Sequence, residues 1–206
     1  MKAILMSDRP KWCALMMNGI KTIEVRKGTA LYKAIQKLID EYGYADIYVY
    51  NTKNERYRLD KELNGKYFVW DTKSKNYPFD KSRNRHYFFG KVVFKFRCYK
   101  VEEIETSHDR FDEEIWYSTG SMEEEDILEH SCLNSDELDN YLYGEKGTAI
   151  HISNLEIFDK PKELSEFKSY KKNIVNTKIN GMVFETELDN SIIKAPQSYM
   201  FIEAGE

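Results

Sequence analysis

The stretch Asn18-Gly19-Ile20-Lys21-Thr22-Ile23-Glu24-Val25-Arg26-Lys27 joins a turn signal to a strand of period two. Gly19 adopts a left-handed conformation at little cost, so Asn18-Gly19 closes the helix that precedes it. From Lys21 onward apolar and polar residues alternate, as in a strand. Ile23 and Val25 then share one face, and Thr22, Glu24 and Arg26 share the other. A hydroxyl, a carboxylate and a guanidinium on one face, just after a lysine, make the densest polar cluster of the chain. On a face turned to water they would be ordinary cross-strand partners, contributing ~0.2–1 kcal/mol each. Between two helices both faces of a strand are often covered, and covered charges need a partner or a ligand. Spacing alone leaves both readings open.

Upstream, residues 2–6 are apolar and predict an opening strand. Ser7-Asp8-Arg9-Pro10 follows as a helix start, with Ser7 or Asp8 as the cap and Pro10 at the first helical position. Trp12, Leu15 and Met16 recur at helical spacing and predict one buried stripe. Downstream, residues 30–42 predict an amphipathic helix with Leu31, Ile35, Leu38 and Ile39 on one side, closed by Gly43. Ala45 to Asn51 predicts a strand, and a hairpin is expected around Tyr67-Phe68-Val69-Trp70. Phe88–Val101 predicts a strong strand, with Val92, Phe94, Phe96 and Cys98 inward and Lys91, Lys95 and Arg97 outward. Residues 134–143 predict a short helix, capped at Asn134 or Ser135 with Glu137 near a capping-box position. Gly147–Phe158 and Ser198–Glu203 predict further strands. Strands punctuated by short helices imply an α+β fold, a small mixed sheet or barrel in one domain over 1–206.

Composition narrows the class. The 206 residues carry 31 Lys and Arg, 35 Asp and Glu, and a net charge of −4. With 41% hydrophobic and 14% aromatic residues the chain is too apolar for disorder. No run approaches ~18 uncharged apolar residues, so no membrane-spanning helix is expected. The N-terminal residues lack the length and cleavage site of a secretory signal. Cys13, Cys98 and Cys132 are odd in number and form no C-x-x-C pair, which predicts free thiols and a cytoplasmic protein. His86, His108, His130 and His151 lie apart, so neither a metal centre nor a cofactor is expected.

Charge is unevenly spread. Residues 1–100 hold 22 Lys and Arg against 10 Asp and Glu, whereas residues 101–206 hold 9 against 25. The basic excess gathers around Lys53, Arg56, Arg58, Lys61, Lys66, Lys73, Lys75, Lys81, Arg83 and Arg85. Tyr57, Tyr67, Phe68, Trp70, Tyr77, Phe79 and Tyr87 sit among those charges. Cations interleaved with rings suit phosphate contacts and base stacking, although a hairpin with inward rings and solvated lysines has the same pattern. Glu102 to Glu129 contains twelve Asp and Glu and one Arg. It reads as a solvated helical flap, a mask for the basic region, or a surface for a basic protein partner.

The motif Gly19-Ile20-Lys21-Thr22-Ile23-Glu24-Val25-Arg26 resembles the G-x-K-T-x-E-x-R signature of ASCH domains, a branch of the PUA-like superfamily. Ile4-Leu5-Met6-Ser7-Asp8-Arg9-Pro10 is similar to the strand and S-x-x-P turn that open such domains, with Asp8 where a basic or apolar residue is common. Gly90–Phe96, Gly147–Ser153 and Ala195–Tyr199 resemble the longer phage and bacterial members, leaving about 53–86, 106–128 and 160–194 as insertions. The resemblance implies a PUA-like mixed β-barrel with helices at its rim and a cleft for RNA or a nucleotide, sometimes a modified base. It places Ser7, Pro10, Lys21, Thr22, Glu24, Arg26, Gln197, Ser198 and Tyr199 on that cleft. Lys21 and Arg26 would pair with phosphate, and Tyr199 and Tyr50 would stack on a base. Gln197 offers a donor and an acceptor to a base edge, and His151 faces away from Ile150 and Ile152. A small bacterial ASCH group deacetylates N4-acetylcytidine with a Lys, a Thr and a Glu. Its lysine matches Lys21, but its nucleophilic threonine falls on Glu24. Ribonuclease activity is also linked to the family. The enzyme reading is therefore a hydrolase using Lys21 and Glu24 as acid and base, with His151 as another candidate.

Overall fold

The computed structural model describes residues 1–62, 64–74, 87–108, 115–171, 173–179 and 182–204. The chain opens with β1 (Lys2–Asp8), α1 (Pro10–Met17), β2 (Ile23–Lys27), α2 (Ala30–Tyr42) and β3 (Ala45–Asn51). A hairpin of β4 (Tyr57–Lys61) and β5 (Tyr67–Asp71) follows, then β6 (Lys91–Cys98), β7 (Val101–His108) and β8 (Ile115–Ser118). Two short helices, α3 (Glu124–Ser131) and α4 (Ser135–Leu142), precede β9 (Gly147–His151) and β10 (Ser153–Lys162). A hairpin of β11 (Asn173–Ile179) and β12 (Met182–Leu188) and a last strand, β13 (Tyr199–Glu203), complete it.

Five strands form one sheet in the order β10-β6-β3-β1-β13, and four form a second in the order β2-β9-β7-β8. β1 and β3 run parallel, Ile4 opposite Ile47 and Ser7 opposite Tyr50. The helices and β2 supply the long crossover that parallel pairing requires. Besides the two helical connections on either side of β2, the chain passes directly between the sheets at β6–β7 and at β9–β10, and Asn154, near the start of β10, takes a left-handed φ of 46°. The architecture is α+β, and its sheet curls into a half-barrel.

Burial follows the alternation of each strand. Leu31, Ile35 and Leu38 of α2 and Met16 and Met17 of α1 pack on Ile4, Ile47, Val49, Phe94 and Phe96. The opposite face of the five-stranded sheet, with Leu5, Tyr48, Val92 and Ile202, is covered by Phe167 and Ile192. Ile23 and Val25 of β2 lie with Ile104 against Ile127, Leu138 and Leu142 of α3 and α4. Each fully buried aliphatic side chain contributes about 1.5–3 kcal/mol. This packing turns the other face of β2 toward β1 and α1.

Several expectations need correction. Ser7 and Asp8 do not cap α1. They end β1, where Asp8 pairs with Asn51, and the cap position is Arg9 without a side-chain bond. Pro10 does open the helix. The buried residues of α1 are Pro10, Cys13, Ala14, Met16 and Met17, while Trp12 and Leu15 are half-buried. The expected strand Phe88–Val101 is shorter, and the chain turns after Cys98 to begin β7. Gly147–Phe158 likewise divides between the two sheets. Among the described residues of the acidic stretch, only the last part, in α3, is helical, which departs from a helical flap. Glu102 and Glu103 lie in β7 and meet Lys100 and Lys146 of the same chain. Lys75, Tyr77, Phe79, Lys81, Arg83, Arg85, His86 and the side chain of His108 lie outside the described residues.

Candidate functional site

Period-two alternation sends Glu24 and Arg26 to the face of β2 opposite Ile23 and Val25. That face is covered. Glu24 is 4% exposed, Lys21 3% and Asp8 5%. Lys21 Nζ lies 3.3 Å from Glu24 Oε2, and Arg26 Nε lies 2.7 Å from Glu24 Oε1. The Nε–H points off the Oε1 axis, so this second contact is ionic rather than a directed hydrogen bond. Arg26 Nη2 is 3.4 Å from Asp8 Oδ2. Both cations also donate to main-chain carbonyls, Lys21 to Ser131 at 2.7 Å and Arg26 to Ser7 at 2.9 Å. Removing one such charge from water costs several kcal/mol unless it is paired, so the network must stay assembled. It ties β1, β2 and the end of α3 together.

Within the network Asp8 is the least satisfied member. Its Oδ1 accepts from the Arg9 N–H at 2.8 Å, and its Oδ2 has no hydrogen-bond partner among the described residues. Burial, then the charge of Glu24, pushes its carboxyl up to about 7, against the pull of Arg26, the Arg9 N–H and Lys21. Burial disfavours the charged form of Arg26, but Glu24 and Asp8 outweigh it and raise its pKa. Burial, with Asp8 and Glu24 nearby, holds the Cys13 thiol well above its ordinary value, so Cys13 remains protonated and inert.

A cavity of about 660 Å³ lies against this network, a size suited to a nucleoside. Ser7, Asp8, Lys21, Glu24 and Arg26 line one part of it. Arg9 and Trp12 contribute from the start of α1, Thr52 from the end of β3, and Gln197 from the approach to β13. Helix α4 and its cap supply most of the rest: Glu137, Asn140 and Tyr141 recur at helical spacing, with Asn134 and Asp136 beside them, and Val25 and Leu133 complete the lining. Its start is fixed by a capping box. Asn134 accepts from the Glu137 N–H at 2.8 Å, and Glu137 accepts from the Asn134 N–H at 3.2 Å. Lys11 pairs with Glu137 at 3.0 Å, linking α1 to α4, and lies 4.1 Å from the centre of the Trp12 ring.

Five of the expected site residues, Ser7, Lys21, Glu24, Arg26 and Gln197, meet at this cavity. The others lie elsewhere. Thr22 does not share the face of Glu24 and Arg26, because alternation begins only at Ile23. Its N–H is taken by His130 O, and its exposed hydroxyl lies 3.1 Å from His130 Nδ1. Pro10 is buried in the first turn of α1. Tyr50 packs in the cluster on the opposite sheet face and lines a separate cavity with Lys53 and Glu163. Tyr199 packs edge-on to Phe201, its hydroxyl donating to Ala30 O at 3.3 Å. Ser198 is exposed, and its carbonyl accepts from the Ser7 N–H. His151 Nε2 is 2.8 Å from Glu102 Oε2, in a cluster with Lys100 and Ser121. Burial pushes Glu102 up, but hydrogen bonds from Lys100, His151 and Ser121 prevail and hold it at about 2.

Sequence reasoning assigned Trp12 to the core and overlooked the α4 face. The polar spacing at 137, 140 and 141 was visible, but it matches that of any solvated helix. Among the described residues no three His, Cys, Asp or Glu side chains converge as metal ligands. No described helix is long and apolar enough to cross a membrane. None of the protein-family models, curated proteins or solved structures compared with this chain matches it.

Proposed function

We propose that this cavity binds a nucleotide or nucleoside, free or as part of single-stranded RNA, in an ASCH-type, PUA-like domain. The observation that carries the reading is the buried Lys21–Glu24–Arg26–Asp8 network beside a nucleoside-sized cavity lined by the rings of Trp12 and Tyr141. Burying Asp8, Lys21 and Glu24 with Arg26 half-buried beside them is expensive unless they organise a site, and rings are the usual surface for a base. The ordered motif resemblances and the α+β half-barrel support the same reading. Calorimetric titration with adenosine, cytidine and a single-stranded RNA hexanucleotide tests it. Saturable one-site binding is expected, weakened several-fold by Gln197→Ala, since that exposed amide can read a base edge. No binding by any of these probes would defeat the proposal.

A hydrolase acting on RNA or an acylated nucleoside is the second reading, favoured by one group. Asp8 combines a carboxyl held near 7 with an oxygen that makes no hydrogen bond among the described residues, the condition of a general acid or base at neutral pH. Glu24 is held by two cations, so Asp8 suits proton transfer better than Glu24 does. Incubation with labelled RNA and with N4-acetylcytidine is the check. Product that disappears in Asp8→Asn supports this reading, and no product at high protein concentration removes it.

A further inference from the structure

We infer that the cavity recognises its ligand through an uncharged heteroaromatic base and not through phosphate. The inference rests on the nucleotide-site reading above and narrows it. It also reverses the role that the motif alone suggests for Lys21 and Arg26.

The buried Lys21 and the half-buried Arg26 have their charge already answered. Glu24 lies within 3.3 Å of Lys21 Nζ and 2.7 Å of Arg26 Nε, and main-chain carbonyls of Ser131 and Ser7 take a further donor from each. A phosphate taking the donors that face Glu24 must displace it, leaving a carboxylate 4% exposed without counter-charge. That exchange is unfavourable. The cavity as a whole offers no compensation. Its cations are Lys21, Arg26 and the exposed Arg9, whereas Asp8, Glu24, Asp136 and Glu137 are acidic. With Asp8 ionised the lining is net negative, and with Asp8 protonated it is neutral. Neither state attracts a dianion. Arg9 stands in water, where a single ion pair contributes little.

What the lining does offer is aromatic surface and unused neutral polarity. Trp12 and Tyr141 reach the cavity from two different helices. Thr52 and Gln197 make no side-chain hydrogen bond to the described residues, and both border the cavity, so a hydroxyl and an amide remain for a base edge. A base gains from stacking whatever its sequence, because every base has a π-face.

Calorimetric competition separates the possibilities. The probes are adenosine, cytidine, their 5′-monophosphates and inorganic phosphate. Expected are nucleosides that bind tighter than, or within about threefold of, their monophosphates, with inorganic phosphate failing to compete. Tyr141 is 41% exposed, so its replacement leaves the core intact. Tyr141→Ala should weaken nucleoside binding roughly tenfold, and Tyr141→Phe should restore it to within about threefold. Monophosphates that bind tighter than nucleosides by a larger factor, or competition by inorganic phosphate, overturn this inference while leaving a nucleotide site in place. Equal affinity of wild type and Tyr141→Ala also overturns it. No binding by any probe removes the inference and the reading on which it rests.

Discussion

Glu24 and Asp8 are both buried carboxylates, yet their surroundings separate them. Glu24 is flanked by Lys21 and Arg26, whereas Asp8 meets one cation at 3.4 Å and one N–H at 2.8 Å. The folded value of about 7 for Asp8 lies above its ordinary 3.8. The folded protein therefore retains a proton that the unfolded chain releases between those two values. The stability this provides is complete below pH 3.8 and is lost as pH rises through about 7. Asp8→Asn keeps an oxygen for the Arg9 N–H and removes the titration. Denaturant unfolding at about pH 5 and about pH 8 should show wild type losing stability relative to Asp8→Asn as pH rises, and parallel losses would show that Asp8 does not titrate there. Arg26→Ala should cost about 3–5 kcal/mol, because it leaves Asp8 without its cation beside a Glu24 that keeps only Lys21. A melting temperature close to that of wild type would contradict the network as described.

At the scale of elements, α4 matters because it brings residues distant in sequence from the β2 motif to the same cavity. Its position depends on the Asn134–Glu137 capping box and on the buried Leu138 and Leu142. Asn134→Ala should cost about 1 kcal/mol by leaving the Glu137 N–H without its acceptor. It should also lower nucleoside affinity, since Glu137, Asn140 and Tyr141 move with the helix. Unchanged affinity at reduced stability would place the ligand away from α4. The elements also show what periodicity can reveal. α2, β3 and α4 were legible because amphipathic spacing and caps are local signals. The corners after Cys98 and His151 were not, because two strands joined by a sharp turn keep the same alternation as one long strand.

Over the whole molecule, two sheets share one chain at two corners, and one cluster spans α1, α2 and five-stranded-sheet residues such as Ile4 and Phe94. Such a body should unfold as a unit. Circular dichroism and tryptophan fluorescence should trace coincident urea transitions, and Ile35→Ala, at a site with 0% exposure, should shift both by about 2–5 kcal/mol. Separate transitions would instead divide the molecule between its sheets.

By itself the sequence determined that Glu24 and Arg26 oppose Ile23 and Val25, that Asn134 or Ser135 caps a helix and that Gly43 ends one. Each follows from chemistry within a few residues. Whether the polar face of β2 meets water or protein depended on β1, α1 and α3 closing over it, through contacts between separate elements that reach as far as Lys21 to Ser131. Tertiary structure also decided that Asp8 joins that network, that Thr22 leaves it, and that Trp12 and Tyr141 border one cavity. Burial sets the energy of a charge, and no local pattern records which distant surface will provide it.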